Sequence, residues 1–335
     1  MSTASSCKMT EKSEEVAAKA ECDDVEKKAA GNEELLPVLN DLDEAEKPNP
    51  LSPEILAQVV EKLQGLGLST IGSGPVLHSR LSLFEKRKPG LKPEYALDYL
   101  IVIDFEATCY ENKRAGTYEQ EIIEFPAVLI DIRNRCVLDS FHRYCRPVKH
   151  RILSDFCKTL TGISQEQVDR ADSFAVVLKE FEEWLIRYDL NRKTRWCVAT
   201  DGSFDIGLFL SWQLKASQLS PPAYCKMFVH IPKLFQWIYL FNDSNKERAG
   251  MYGMLEHLGL QPEGRLHSGI DDARNLARIC LQMIHDGVQF RPTDVAYFHE
   301  EDEKKREYCC KVVPLNKKKW VTMHKNTMSR MNFRK

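Results

Sequence analysis

The apolar positions of this chain divide it into regions that differ in their spacing. The first fifty residues have no sustained apolar period, so we predict a disordered segment at 1–50. Apolar side chains then recur at helical spacing as far as residue 88, which predicts two short helices. From residue 99 onward, apolar runs of strand length are interspersed with longer helical patterns. The pattern therefore predicts a small helical module followed by a larger α/β domain.

The predicted helical module occupies residues 51–88. Ser52 suits a helix cap and Pro53 suits the first helical position, while Gly72 and Gly74 separate the two helices. Proline and glycine follow the second helix, so we interpret 89–98 as a linker.

Residues 99–290 form the predicted α/β domain. Tyr99–Ile103 is a continuous apolar run typical of a buried central strand, and further strands follow at Ile122–Ile130 and Val137–Tyr144. Three strands in quick succession favour an antiparallel arrangement. The remaining predicted elements are a strand at Trp196–Thr200 and helices at Phe174–Tyr188, Ile206–Leu214, Met251–Leu258 and Asp272–His285. This order predicts a mixed sheet flanked by helices.

The formal net charge of −2 conceals a segregation of charge along the chain. Residues 1–50 contain 13 acidic and 6 basic side chains, whereas residues 304–335 contain 11 Lys or Arg and one Glu. We therefore predict a basic tail at 291–335, which suits a polyanionic partner or nuclear import. No run approaches the ~18 apolar residues of a membrane-spanning helix, so no membrane partner is expected.

The first candidate for chemistry is the pair Asp104 and Glu106, directly after the predicted central strand. Residues two apart on a strand share a face, so both carboxylates point the same way. Two neighbouring anions at a buried strand end favour a divalent cation, and oxygen ligands suit Mg²⁺ or Mn²⁺. The alternative is a strand that simply ends in solvent.

Three further residues stand at the ends of predicted elements. Asp205 opens a helix after the strand Trp196–Thr200, and His267 precedes Asp272 by five positions. Each taken alone has an ordinary explanation, since Asp is a common helix cap and His is common in loops. The neighbouring acids Asp201 and Asp271 compete for the same roles. Together, the four acids and the histidine indicate a shared site more strongly than any one of them does alone.

The order Asp-x-Glu, Asp, His-x₄-Asp resembles that of the DEDDh exonucleases, the DnaQ-like family of 3′–5′ nucleases. The segments that carry the resemblance are Ile101–Cys109, Glu121–Pro126, Leu153–Ile163, Asp201–Asp205 and His267–Asn275. Their combination is similar to one eukaryotic branch, the enhanced-RNAi or three-prime histone mRNA exoribonucleases, over about residues 51–290. The resemblance implies an RNase H-like mixed sheet flanked by helices and preceded by a small helical SAP module.

The same resemblance implies the roles of the site residues. Two Mg²⁺ ions, with Mn²⁺ as an alternative, would be held by Asp104, Glu106, Asp205 and Asp272. His267 would be the general base on the attacking water, and Glu106 would also meet the terminal 3′-hydroxyl. The family motif uses the second acid of the Asp-Asp pair, which selects Asp272 over Asp271. The implied substrate contacts are Glu106, Ala107, Thr108, Thr161, Gly162 and His267.

The implied activity is a metal-dependent 3′–5′ exoribonuclease that releases nucleoside 5′-monophosphates. Its substrates would be RNAs with a structured or short 3′ end: histone mRNA stem-loops, small interfering RNA and a ribosomal RNA 3′ end. The ribosome and a stem-loop-binding protein are the further candidate partners, and the expected location is cytoplasm and nucleus, the nucleolus included. A DNA 3′–5′ exonuclease and a non-catalytic RNA-binding adaptor stay open as alternatives.

The SAP resemblance rests on Leu66–Leu68, Gly72, Leu77 and Arg80. Gly74 stands where the SAP family often has a lysine, which weakens the expectation of phosphate contact by this turn. The candidate nucleic-acid contacts of the module are Arg80, Lys86, Arg87 and Lys88. A purely structural or protein-docking role is the alternative.

Overall fold

The computed structural model describes residues 52–87, 95–113, 115, 117–190, 194–240, 249–298 and 310–315. The predicted disordered segment 1–50, Lys88, most of the linker and much of the basic tail lie outside the described residues. Within the described ranges, no helix has both the length and the apolar character needed to cross a membrane.

A mixed sheet of eight strands, counted over the described residues, forms the centre of the molecule. The strands are β1 Tyr99–Ile103, β2 Glu106–Ala107, β3 Ile122–Asp131, β4 Cys136–Tyr144, β5 Trp196–Thr200, β6 Met227–His230, β7 Asp294–Phe298 and β8 Cys310–Pro314. Their order is β2-β3-β1-β5-β6-β7-β8, and β4 also pairs with β3. Strands β1, β5 and β6 run parallel, whereas β3 is antiparallel to β1, β2 and β4. The predicted mixed sheet with early antiparallel strands is therefore confirmed.

Helices cover both faces of this sheet. They are α1 Pro53–Gly65, α2 Gly74–Glu85, α3 Asp155–Thr161, α4 Gln165–Arg170, α5 Phe174–Arg187, α6 Ser211–Ala216, α7 Ile231–Tyr239, α8 Met251–Leu258 and α9 Gly269–Asp286, with a π-helix at Asp205–Leu210 and a 3₁₀ turn at Ala223–Cys225. Strand β1 explains the arrangement, because its side chains alternate between two apolar cores. Leu100 and Val102 face the core built with α7, α8 and α9, and Ile101 and Ile103 face the core built with α5 and α6.

The sheet continues beyond residue 290, which corrects the prediction of a tail at 291–335. Strand β7 pairs with β6, and β8 pairs with β7 at the edge. Val312 on β8 packs against the π-helix, where a Cβ on Gly207 would lie 2.8 Å from the Val312 Cγ2 atom. The end of the described chain therefore supports the helix that begins at Asp205.

The predicted linker also ends earlier than residue 98. Leu97 is 2% exposed, and the Asp98 carboxylate accepts hydrogen bonds from the Arg195 backbone and guanidinium. Residues 95–98 are therefore part of the α/β domain.

Helices α1 and α2 form a small module that packs on the α/β domain. Leu63 and Leu77 lie in a core between the two helices, whereas Val76 on α2 belongs to the core of the domain itself. The Ser73 amide donates to the His257 carbonyl at 2.7 Å. The two predicted helices are thus present, and their assignment as a SAP module stays a prediction.

Arg80 is a correction to the predicted nucleic-acid contacts of this module. Its side chain is 2% exposed and donates to both carboxylate oxygens of Asp286, at 2.7 and 3.2 Å. Its remaining contacts are the Ser69 and Ile71 carbonyls. A guanidinium that is buried and held in this way is not available to a phosphate. Lys86 and Arg87 are exposed, and Arg87 also donates to the Asp286 carbonyl at 3.0 Å.

Candidate active site

Asp104 directly follows β1, and Glu106 is the first residue of β2. Both side chains are half-buried. Burial and the charges of neighbouring carboxylates, Asp205 and Asp272 among them, raise the pKa of both groups well above the ordinary range. The strand end therefore concentrates negative charge where little water can screen it.

Asp205 comes from β5 by way of a short turn. It is the first residue of the π-helix and is 4% exposed. Its Oδ1 atom accepts a hydrogen bond of 2.9 Å from the Phe105 amide, between the two acids of the first motif. Burial raises the pKa of Asp205 to about 7. Asp201 lies near enough for its charge to raise the pKa of Asp104.

His267 and Asp272 face the same point from the start of α9. His267 adopts a left-handed backbone with φ of 58°, and its amide donates to Oδ2 of Asp272 at 2.8 Å. Burial raises the pKa of Asp272 to about 7. Oδ1 of Asp272 is buried and has no hydrogen-bond partner among the described residues. An orphaned carboxylate oxygen of this kind calls for a ligand.

Gly269 allows α9 to approach the strand end. A Cβ at this position would lie 2.8 Å from the Asp104 carbonyl oxygen, which is closer than side-chain carbons come to backbone oxygens. The helix start can therefore touch the end of β1 only through a glycine. This contact brings His267 and Asp272 to Asp104 and Glu106.

The residues present fit a divalent metal centre. One ligand atom from each of Glu106, His267 and Asp272 lies within 4.8 Å of the others. Asp104 and Asp205 adjoin this group, because the charges of Asp205 and Asp272 raise the pKa of Asp104 and the Phe105 amide donates to Asp205. Carboxylate oxygens with little compensating charge are the donor set that hard divalent cations prefer. The structure thus brings the five predicted residues together at one end of the central strand.

Asp271 has a different environment from Asp272. Its carboxylate accepts from the Arg265 amide at 3.0 Å and from the Arg274 guanidinium at 3.4 Å. It therefore braces the turn at Gly264 and Arg265 rather than the strand end. This geometry favours Asp272 as the ligand.

The other predicted substrate contacts lie around the same motif, and their roles stay predictions. Thr108 is buried, and its hydroxyl accepts from the Glu121 amide at 3.1 Å. Thr161 is also buried, and its hydroxyl donates to the Cys157 carbonyl at 2.8 Å. Both hydroxyls are thus used within the fold. Ala107 lies on β2, and Gly162 ends α3 in the left-handed region.

Glu124 is a residue of the site region that the sequence analysis missed. It lies on β3 directly across from Glu106 and is 1% exposed. Its charge contributes to the raised pKa of Glu106. A signal was present, because a glutamate inside the wholly buried strand at Ile122–Asp131 must find buried partners.

Comparisons with known proteins show the family to which this chain belongs. The exonuclease family RNase_T matches residues 101–280. The mouse 3′–5′ exoribonuclease 1 is 43% identical over 235 residues, which cover 69% of this chain and 67% of that protein. A solved 3′-exonuclease recognising the 3′ end of a histone mRNA stem-loop matches with a TM-score of 0.60 and 36% identity, over 67% of this chain and 93% of that one. The nuclease domain of the DEDDh protein 3′hExo bound to rAMP matches with a TM-score of 0.55 and 41% identity, over 59% and 96% of the two chains. The chain therefore belongs to the RNase_T exonuclease family, within its branch of 3′–5′ exoribonucleases.

Proposed function

We propose that this exoribonuclease uses two Mg²⁺ ions to remove nucleotides one at a time from the 3′ ends of structured or short RNAs. Four carboxylates and a histidine converge at the end of β1, and this observation carries the proposal. The four carboxylates belong to Asp104, Glu106, Asp205 and Asp272. Mn²⁺ is the alternative ion, since it accepts the same oxygen ligands.

The four carboxylates would hold the ions, because a bound cation neutralises the negative charge that burial leaves poorly screened. Without a cation, the raised pKa of Asp205 and Asp272 would keep these groups partly protonated near neutral pH. When bound, divalent cations activate a water molecule and stabilise negative charge on the departing 3′ oxygen. The four carboxylates therefore supply the charge that would attract the ions.

His267 takes the proton of the attacking water in this proposal. The His267 amide donates a hydrogen bond to the Asp272 carboxylate, which holds the His267 backbone beside a proposed metal ligand. A histidine suits this role because its ordinary titration lies near neutral pH. Glu106 accepts a hydrogen bond from the terminal 3′-hydroxyl, which restricts attack to a chain end.

The substrates are proposed from the relatives. One solved relative recognises the 3′ end of a histone mRNA stem-loop, and another holds rAMP. We extend the same class to this chain: stem-loop 3′ ends, small interfering RNA and a ribosomal RNA 3′ end. Lys86 and Arg87 on the exposed end of α2 are the module residues proposed to contact RNA phosphates. The ribosome and a stem-loop-binding protein are the proposed partners, in cytoplasm and nucleus.

One experiment tests the chemistry and the substrate together. Wild type and His267→Ala are incubated with a 3′-end-varied RNA series and matched DNA, first with Mg²⁺ and then with excess chelator. We expect a ladder that shortens from the 3′ end, releases 5′-monophosphates, favours RNA and disappears in chelator and in the variant. Equal cleavage of DNA would support the DNA exonuclease instead, and RNA binding without any cleavage would support the adaptor.

A further inference from the structure

The carboxylate of Glu124 joins two parts of the site that are far apart in sequence. Oε2 accepts from the Gly269 amide at 3.0 Å, and Oε1 accepts from the Ile270 amide at 3.2 Å. On its other side, Oε1 accepts from Nε2 of His142 at 2.7 Å. Glu124 therefore connects strands β3 and β4 to the first two residues of α9.

This arrangement replaces the usual cap of α9. Ser268 is the N-cap residue and belongs to a type that commonly caps helices, yet its side chain makes no capping hydrogen bond. The Gly269 and Ile270 amides at the start of α9 donate instead to Glu124 on strand β3. Gly269 lies 145 positions after Glu124 in the sequence. A cap from the sheet fixes where the helix begins relative to the sheet, which a cap from Ser268 would leave undetermined.

The position of the helix start matters because the site residues lie on both sides of it. His267 precedes Gly269 by two residues, and Asp272 follows it by three. Glu124 is also the cross-strand partner of Glu106. A Cβ on Gly269 would lie 3.2 Å from Oε2 of Glu124 and 2.8 Å from the Asp104 carbonyl oxygen. Gly269 therefore packs directly against both Glu124 and the end of β1, with no room for a side chain.

We propose that Glu124 is a positioning residue that sets the spacing between the Asp104–Glu106 pair and the His267–Asp272 pair, and thereby the affinity of the site for its divalent cations. His142 orients the Glu124 carboxylate from the half-exposed side. The proposal rests on the proposed metal-dependent function. A plain structural cap would stabilise the fold without any particular effect on metal binding, and this difference makes the two roles separable.

Glu124→Gln tests the proposal, because it keeps the shape of the side chain and one acceptor oxygen while removing the charge and the second acceptor. The matched control is Glu121→Gln. Glu121 is also a buried glutamate near the same strand, and it accepts the Val148, Lys149 and His150 amides at 2.7, 2.9 and 2.7 Å. Its partners lie in a loop rather than in α9, so this control reports the cost of altering a buried amide acceptor alone.

Three quantities are measured on the full chain: Mn²⁺ affinity by electron paramagnetic resonance of free Mn²⁺, RNA affinity in chelator, and melting temperature. We expect Glu124→Gln to weaken Mn²⁺ binding by about tenfold, as loss of an outer partner of metal ligands typically does. RNA affinity in chelator should stay at the wild-type value. Glu121→Gln should lower the melting temperature and leave Mn²⁺ affinity unchanged.

Wild-type Mn²⁺ affinity in a folded Glu124→Gln protein would overturn the proposal and leave a structural cap. If Glu124→Gln does not fold, His142→Gln is tested in its place, since His142 is half-exposed and its substitution should be tolerated. Weaker Mn²⁺ binding by His142→Gln would support the proposal, and unchanged binding would overturn it. A wild-type protein that neither binds Mn²⁺ nor cleaves RNA would overturn the proposed function as well. A wild-type protein that does both, with variants equal to it, would overturn this inference alone.

Discussion

The backbone amide of Phe105 donates a hydrogen bond of 2.9 Å to Oδ1 of Asp205, across 100 residues of sequence. This bond ties the turn between β1 and β2 to the first residue of the π-helix. It leaves the second oxygen of Asp205 for a ligand. One carboxylate therefore serves both the fold and the proposed metal centre, and the two uses can be separated by substitution.

Asp205→Asn is expected to abolish cleavage without unfolding the protein. Asparagine keeps an acceptor for the Phe105 amide but removes a negative charge that raises the pKa of Asp104 and Glu106. Activity should fall by more than about a hundredfold, beyond the cost of losing an outer partner of a metal ligand. The melting temperature in chelator should equal or exceed that of wild type. A drop of many degrees in chelator would mean that the carboxylate is needed for folding.

The stability of the metal-free protein should depend on pH through Asp205 and Asp272. Burial raises the pKa of each to about 7 from 3.8, so the folded protein binds protons more tightly than the unfolded chain between these values. Their contribution to stability is fully present below the lower value and is lost as the pH rises through about 7. In chelator, the melting temperature should therefore fall between about pH 5.5 and about pH 8.

Adding Mg²⁺ tests whether Asp205 and Asp272 cause this pH dependence of stability. Mg²⁺ should raise the melting temperature clearly at the upper pH, where both carboxylates are ionised, and little at the lower pH. The double variant Asp205→Asn, Asp272→Asn should show a flatter pH profile and no response to Mg²⁺. A wild-type profile in chelator that rises over this interval would contradict the assignment.

Replacing His267 should remove the chemical step and preserve metal binding. Loss of a general base typically costs about 10²- to 10⁴-fold in rate. His267 has φ of 58°, a conformation that asparagine tolerates better than most residues. His267→Asn is therefore the cleaner variant, with His267→Ala beside it. Single-turnover cleavage and Mn²⁺ titration should separate the two effects, and a wild-type rate in His267→Asn would exclude the base.

Much of the fold could be predicted because its central elements have clear patterns of apolar residues. Strand β1 is buried on both faces and reads as an unbroken apolar run, and α5 repeats its apolar residues at helical spacing. The five candidate site residues could be singled out because the DEDDh motifs, which the sequence resembles, place such residues at element ends, and their roles stay predictions. Strands β7 and β8 were not predicted, since a strongly charged segment lies between them.

Partners distant in sequence account for two further misses, Arg80 and Glu124. Nothing near Arg80 reveals that its carboxylate partner lies 206 residues later, so an exposed basic side chain was the natural expectation. The partner of Glu124 is also remote in sequence, because the Gly269 amide that donates to it lies 145 residues later. The π-helix at Asp205 could not be predicted either, since its apolar spacing differs little from that of an α-helix.

The ion pair between Arg80 and Asp286 should hold the helical module on the α/β domain. Both side chains are almost fully buried, and Asp286 also accepts from the Tyr239 hydroxyl at 2.7 Å and from the Gln282 amide at 3.0 Å. Asp286→Ala would leave the Arg80 charge buried without its carboxylate, at a cost of about 3–5 kcal/mol. We expect faster proteolysis of residues 52–87 and a lower melting temperature. Arg87→Ala removes one hydrogen bond from an exposed side chain to the Asp286 carbonyl and should have a small effect. A module equally protected in wild type and Asp286→Ala would show that the apolar contacts of Val76 suffice for docking.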